Sequence, residues 1–223
     1  MSATHQEVTP VSLGFVNCFI VRGDDRIVLV DTGTPGKENV ILSAIEKEGF
    51  APGQVALIVI THAHADHTGS ARALKQATGA KVAVHEKEAP YLVQGKSAEI
   101  VPASLLGQVM LLTTAVRPQA VEAVQPDILI ADELDLRDLG VRGRIISTPG
   151  HTDGSVSVLL DSGKCLVGDL IMAFTGSPGY PPFIRDKREL RQSIRKIIDL
   201  GATEIYPAHG GACRVDRIRK LAE

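Results

Sequence analysis

Within Thr61-His62-Ala63-His64-Ala65-Asp66-His67, four side chains able to bind metal ions fall inside six residues. His62 and His64 are two apart, so in an extended stretch they project to the same side and can reach one ion. Asp66 and His67 follow where the chain turns and can reach a second position nearby. Imidazole and carboxylate together suit zinc, iron or manganese better than calcium. The spacing is that of a metal centre built on a loop.

Rigid elements must hold such a loop. Residues 55–60 before it are apolar and rich in β-branched side chains, which predicts a buried strand. Residues 68–78 after it carry Ala71, Leu74 and Ala77 and predict a helix. The arrangement then recurs. Thr148-Pro149-Gly150-His151 follows a strand-like run at 141–147, Gly168-Asp169 ends one at 164–167, and His209-Gly210 follows one at 203–206. Five of the seven histidines stand just after strand-like runs, leaving only His5 and His85. Strands whose ends converge on one sheet edge would gather His62, His64, Asp66, His67, His151, Asp169 and His209 there. Asp31-Thr32-Gly33 also ends a strand-like run; Asp31 could orient a ligand histidine from behind or simply close a turn. His85, at the end of a short strand over 81–84, reads as structural.

The remaining elements follow from apolar spacing. Residues 11–21 and 26–30 predict a hairpin across Gly23-Asp24-Asp25. Residues 37–48 and 188–200 predict helices, the first stopped by Gly49. Strands are expected over 133–136, 141–147, 155–160 and 164–167, and a basic helix closes the chain near 215–221.

The chain has 223 residues, 44% hydrophobic, enough for one large domain with a sizeable core. Lys and Arg number 24 against 26 Asp and Glu, so no field steers the molecule to nucleic acid or to an anionic membrane. Residues 1–10 lack a basic region followed by an apolar run, and no signal peptide is expected. Cys18, Cys165 and Cys213 are far apart and odd in number, which argues for reduced thiols and a cytoplasmic setting.

Two uncharged stretches stand out. Residues 100–116 contain Pro102 and Gly107 and are shorter than the roughly 20 apolar residues that span a bilayer. They read as part of a helical insertion around 95–126, with Leu105, Leu106, Val109, Met110 and Leu112 in apolar contact. The insertion would cover the active-site mouth or form a homo-oligomer interface. No basic cluster flanks it to support membrane attachment. Residues 170–184 follow Asp169 directly and hold Phe174, Tyr180 and Phe183 among three prolines. Such a stiff apolar loop suits a neutral or apolar acyl substrate, with Tyr180 available to donate a hydrogen bond to a carbonyl oxygen.

The His-x-His-x-Asp-His block at 62–67, Thr148-Pro149-Gly150-His151, Gly168-Asp169, His209-Gly210 and Asp31-Thr32-Gly33 together resemble the metallo-β-lactamase superfamily over nearly the whole chain. The resemblance implies an α/β (α+β) fold, a four-layer αββα sandwich of two mixed sheets with the metal site at one edge. It implies two divalent ions, zinc first, with iron or manganese as alternatives. By the same resemblance His62, His64 and His151 bind one ion, Asp66, His67 and His209 the other, and Asp169 bridges them. The chemistry implied is hydrolysis: a metal-bound hydroxide attacks an acyl carbonyl of an ester, lactone or thioester, and Asp66 orients it and shuttles a proton. The bridging Asp169 resembles the glyoxalase II-like and lactonase-like hydrolases rather than true β-lactamases. Alternatives are an iron-dependent persulfide dioxygenase, a phosphodiesterase, and a metal-binding protein without turnover.

Overall fold

The computed structural model describes residues 7–112, 120–174 and 176–223. His5, the Leu106 side chain and positions 113–119 of the expected insertion lie outside the described residues.

Two six-stranded sheets form the body. The first contains β1 (Val8–Ser12), β2 (Asn17–Arg22), β3 (Ile27–Val30), β4 (Val55–Val59), β5 (Lys81–His85) and β6 (Ile128–Ile130). The second contains β7 (Glu133–Asp135), β8 (Gly143–Ser147), β9 (Val156–Leu160), β10 (Lys164–Gly168), β11 (Glu204–Pro207) and β12 (Cys213–Arg214). In both sheets every hydrogen-bonded neighbour is also the neighbour in sequence. β1 to β3 pair antiparallel, β3 to β6 run parallel, and the second sheet is antiparallel except for β10 with β11.

Strands buried on both faces need near-continuous apolar sequence, and β3 (Ile-Val-Leu-Val) and β9 supply it. Alternate residues then serve different cores. Phe19, Val21, Val28, Val30, Leu57 and Val59 of the first sheet meet Ile145, Val156, Val158 and Leu166 of the second. On the outer side of the first sheet, Ile20, Leu29, Ile58 and Val82 pack with Ile41 and Ile45 of α1 (Glu38–Lys47) and Leu74 of α3 (Ala71–Thr78). On the outer side of the second, Leu159, Cys165, Val167 and Ile205 pack with Leu190, Ile194 and Ile197 of α6 (Lys187–Asp199) and with Ile218. Helix, sheet, sheet, helix is the expected four-layer sandwich.

Four expectations need correction in detail. Residues 11–21 are not one strand: Gly14, at φ +107, turns the chain between β1 and β2, which pair with each other and lift Phe15 to the turn. The 68–78 helix is two pieces, α2 (Ala65–Thr68) and α3. β6 adds an edge strand between the expected insertion and the 133–136 strand, where no element was expected. The closing segment, Val215–Ala222, is a 3-10 helix.

Between β5 and β6 come α4 (Ala89–Gln94), an extended strap and α5 (Leu105–Leu112). The strap is tied on both sides: Ala98 N donates to Ala63 O (2.7 Å), and Ala103 N donates to Pro182 O (2.9 Å). Among the described residues no helix is long and apolar enough to cross a membrane.

Candidate metal centre

All the candidate side chains arise at the C-terminal ends of strands. β4 leads into His62, His64 and α2, which carries Asp66 and His67. β8 leads to His151, β10 ends at Asp169, and β11 leads to His209. Gly168 makes one of these approaches possible: it sits at φ +52, and a Cβ there would lie 2.7 Å from Thr61 Oγ1. Two groups of donors result, His62, His64, His151 and Asp169 in one, and Asp66, His67 and His209 in the other.

In the first group His62 Nε2, His64 Nδ1 and His151 Nε2 are mutually 3.0, 3.1 and 3.2 Å apart. Four donors around an ion at the usual zinc–nitrogen distance would be separated by about 3.3 Å. Asp169 Oδ2 lies 3.5 Å from His151 Nε2. Its Oδ1 lies 3.4 Å from His67 Nε2 and 3.3 Å from His209 Nε2, so one carboxylate faces both groups. Asp66 Oδ2 is 3.3 Å from His209 Nε2.

The outward nitrogens fix the tautomers. His151 Nδ1 donates to Phe183 O and His209 Nδ1 to Phe15 O, both at 2.9 Å. His67 Nδ1 donates to Asp31 Oδ2 at 2.8 Å. The Thr61 hydroxyl donates to Asp31 Oδ2, so it accepts from His62 Nδ1 at 3.1 Å. The neutral rings of His62 and His151 therefore turn an Nε2 lone pair inward, while His67 and His209 turn Nε2 toward the carboxylates of Asp66 and Asp169. Lone pairs facing lone pairs at such distances repel, and a cation between them removes the repulsion. His67 Nε2 and Asp169 Oδ1 are buried with no hydrogen-bond partner, as groups held for an ion would be. The donor set fits divalent metal ions with nitrogen and oxygen ligands.

Burial lowers the pKa values of His62, His64 (to about 3) and His151 and keeps those rings neutral. Burial also pulls on His67 and His209, but carboxylates outweigh it: Asp31, Asp66 and Asp169 hold His67 well above the usual value, and Asp169 and Asp66 push His209 up to about 10. Burial would raise Asp66 and Asp169; the neighbouring His67 and His209 charges reverse that and hold both low, Asp66 at about 2. The second group thus has a demand for positive charge that a cation can meet.

Asp31 adopts φ +62, the left-handed conformation, and is fully buried. It accepts from Thr61 N and the Thr61 hydroxyl as well as from His67, each at 2.8 Å. Asp31 thus holds both the start of the 61–67 loop and the ring of His67.

A cavity of about 370 Å³ opens over the donors. Phe15, Ile100, Met110, Met172, Phe174 and Phe183 line it, with His64, Asp66, Asp169 and His209 at its floor, and among the described residues no Lys or Arg side chain takes part. Phe174 and Phe183 thus line the cavity above the donors. Tyr180 does not: its hydroxyl donates to Leu221 O (2.7 Å) and accepts from Arg191 Nε (3.1 Å), pinning the loop to the C-terminal segment. Met110 and Ile100 of the insertion reach the cavity, while Leu105, Val109 and Leu112 are exposed rather than in the expected apolar contact. His85 stays out of the cluster; its Nδ1 accepts from Lys87 N. Phe15 was not expected; Gly14, interrupting an apolar run, was the one sign of a turn there.

Fold and donor set together define a metal-dependent hydrolase of the αββα kind. The model of the metallo-beta-lactamase superfamily matches residues 11–209, and the chain belongs to that superfamily. It is 29% identical over 198 residues to a probable metallo-hydrolase of Methanocaldococcus jannaschii, covering 87% of each chain. A hydroxyacylglutathione hydrolase of Ectopseudomonas mendocina is 29% identical over 192 residues, 82% of this chain and 56% of that one. Among solved structures, a B3 metallo-beta-lactamase with an active-site glutamic acid superposes with a TM-score of 0.71 at 23% identity, covering 98% of this chain and 86% of its own.

Proposed function

We propose that the protein is a dinuclear metal hydrolase of carboxylic esters, lactones or thioesters whose acyl or alcohol portion is neutral and apolar. One observation carries this reading: two donor groups, with the Asp169 carboxylate facing both, lie under an apolar cavity whose floor His64, Asp66, Asp169 and His209 form. His62, His64 and His151 would hold one ion, Asp66, His67 and His209 the other, with Asp169 between them. When bound, such a pair supplies a water acidified to near neutral pH and a Lewis acid for a carbonyl oxygen.

The protein's own groups do the rest. Phe15, Phe174, Phe183, Met172 and Met110 exclude water from the apolar part of the substrate and orient its carbonyl toward the floor. Asp66 alone among the carboxylates of the cluster is partly open to the cavity, its side chain 26% exposed. It stands where it can orient the attacking water and pass a proton to the departing oxygen or sulfur. A cavity whose described lining holds no Lys or Arg supports a neutral acyl compound over a phosphodiester. Zinc is the ion we favour, and three buried free cysteines agree with a reducing, cytoplasmic setting.

Elemental analysis joined to a panel of p-nitrophenyl esters, lactones, thioesters and bis-phosphates tests the reading. Two equivalents of zinc and turnover of apolar acyl compounds are expected. One equivalent of iron with oxygen uptake on a persulfide would overturn it in favour of the dioxygenase.

A further inference from the structure

Glu88 lies between the loops that bear His62, His64 and His151. Its Oε2 accepts a hydrogen bond from Ala63 N at 2.8 Å, in the residue that separates His62 from His64. Its Oε1 accepts from Gly154 N at 3.1 Å, three residues beyond His151. The Thr152 side chain bonds the same carboxylate. Glu88 is 1% exposed. Its negative charge is met by backbone N–H groups and a side-chain donor rather than by Lys or Arg, and a buried charge held in that way is costly unless every lone pair is used. Its own backbone is anchored at the end of β5, where Glu88 N donates to His85 O (2.9 Å), and it opens α4.

The path of the side chain is cleared for it. At Gly154 a Cβ would lie 2.7 Å from Glu88 Cγ and 2.9 Å from Oε1. The absence of a side chain at 154 is therefore explained by Glu88 passing there, independently of the hydrogen bonds.

We infer that Glu88 is the positioning residue of the first ion site: one carboxylate, bonded to both loops, sets the distance between the His62/His64 pair and His151. The inference rests on the two-ion reading above. Asp31 bonds His67 of the second group directly and reaches His62 of the first only through Thr61.

The test is Co2+ titration of the metal-free protein, followed by visible absorption and by metal content after dialysis, on wild type, Glu88→Gln, Gly154→Ala and Ile194→Ala. Gln fills the same space but offers one acceptor and one NH2 group, which faces a backbone N–H. Wild type is expected to take two equivalents. Glu88→Gln keeps one at wild-type affinity and binds the other 10- to 100-fold more weakly. Gly154→Ala, which displaces the carboxylate, moves the same equivalent and decides the matter should Glu88→Gln not fold. Ile194→Ala, in the core under α6, lowers the melting temperature and leaves both affinities alone. Two equivalents held by Glu88→Gln as tightly as by wild type, or both weakened alike, would overturn the inference. Fewer than two equivalents in wild type would refute the two-ion reading itself, and the assignment of Glu88 to one of two sites with it.

Discussion

Phe15 lies almost parallel to the ring of His209, with 5.8 Å between centroids and 9° between planes, and its carbonyl accepts the hydrogen bond from that ring's Nδ1. One turn residue thus orients a candidate ligand with its backbone and walls the cavity with its side chain. Phe15→Ala separates the two roles, because the carbonyl stays. We expect KM for long-chain acyl substrates to rise about fivefold, the equivalent of about 1 kcal/mol of lost aromatic contact. Metal content should not change. Steady-state kinetics on esters of increasing chain length check this; a fall in kcat with KM constant would place Phe15 elsewhere in the cycle.

Asp31 should be probed with Asn rather than Ala first. Asn tolerates positive φ, so the backbone conformation is kept while one of the oxygens facing Thr61 and His67 becomes an NH2 group. The expected result is a 10- to 100-fold loss of affinity for one ion. Chelator competition measures it.

Ion binding should release protons. In the metal-free protein His209 is raised from 6.5 to about 10 by Asp169 and Asp66 against the pull of burial, so at neutral pH the ring keeps a proton that a ligand must lose. A raised folded-state pKa contributes stability below 6.5 that disappears as pH rises toward 10. The metal-free protein should therefore lose stability over that window while ion affinity increases. Calorimetric titration in buffers of different ionisation enthalpy reads the protons directly, and a buffer-independent enthalpy would contradict the assignment.

Gly168→Ala should damage the site from a distance. At φ +52 with Thr61 Oγ1 only 2.7 Å from the new methyl group, the substitution strains the backbone by about 1–3 kcal/mol. It also pushes the hydroxyl that links Asp31 to His62. Melting temperature and metal content should fall together. A full complement of ions in a folded Gly168→Ala protein would show that the Thr61 link is dispensable.

How much of this was readable in the chain differs from residue to residue. The 62–67 block is legible because its donors are local, and His151, Asp169 and His209 because each ends an apolar strand. Glu88 carries no such mark: its partners Ala63 and Gly154 are 25 and 66 residues away and bond through backbone N–H groups, which every sequence has. Phe15 was hidden inside a run whose hydrophobicity suggested continuous strand, until Gly14 breaks it. Tyr180 misled for the opposite reason. It lies in the right loop, but Arg191 and Leu221 occupy its hydroxyl, and nothing in the local pattern reveals a hydrogen bond to the far end of the chain.

The order of strands has a consequence for assembly. Residues up to Ile130 complete one sheet and residues from Glu133 complete the other, without a single exchanged strand. Yet each donor group draws from both: His62 and His64 meet His151 and Asp169, and Asp66 and His67 meet His209. A polypeptide cleaved in the short connection between Ile130 and Glu133 would yield two fragments, neither able to chelate an ion tightly. Their reunion would be reported by the ion itself, which would act as a clasp between two halves each contiguous in sequence.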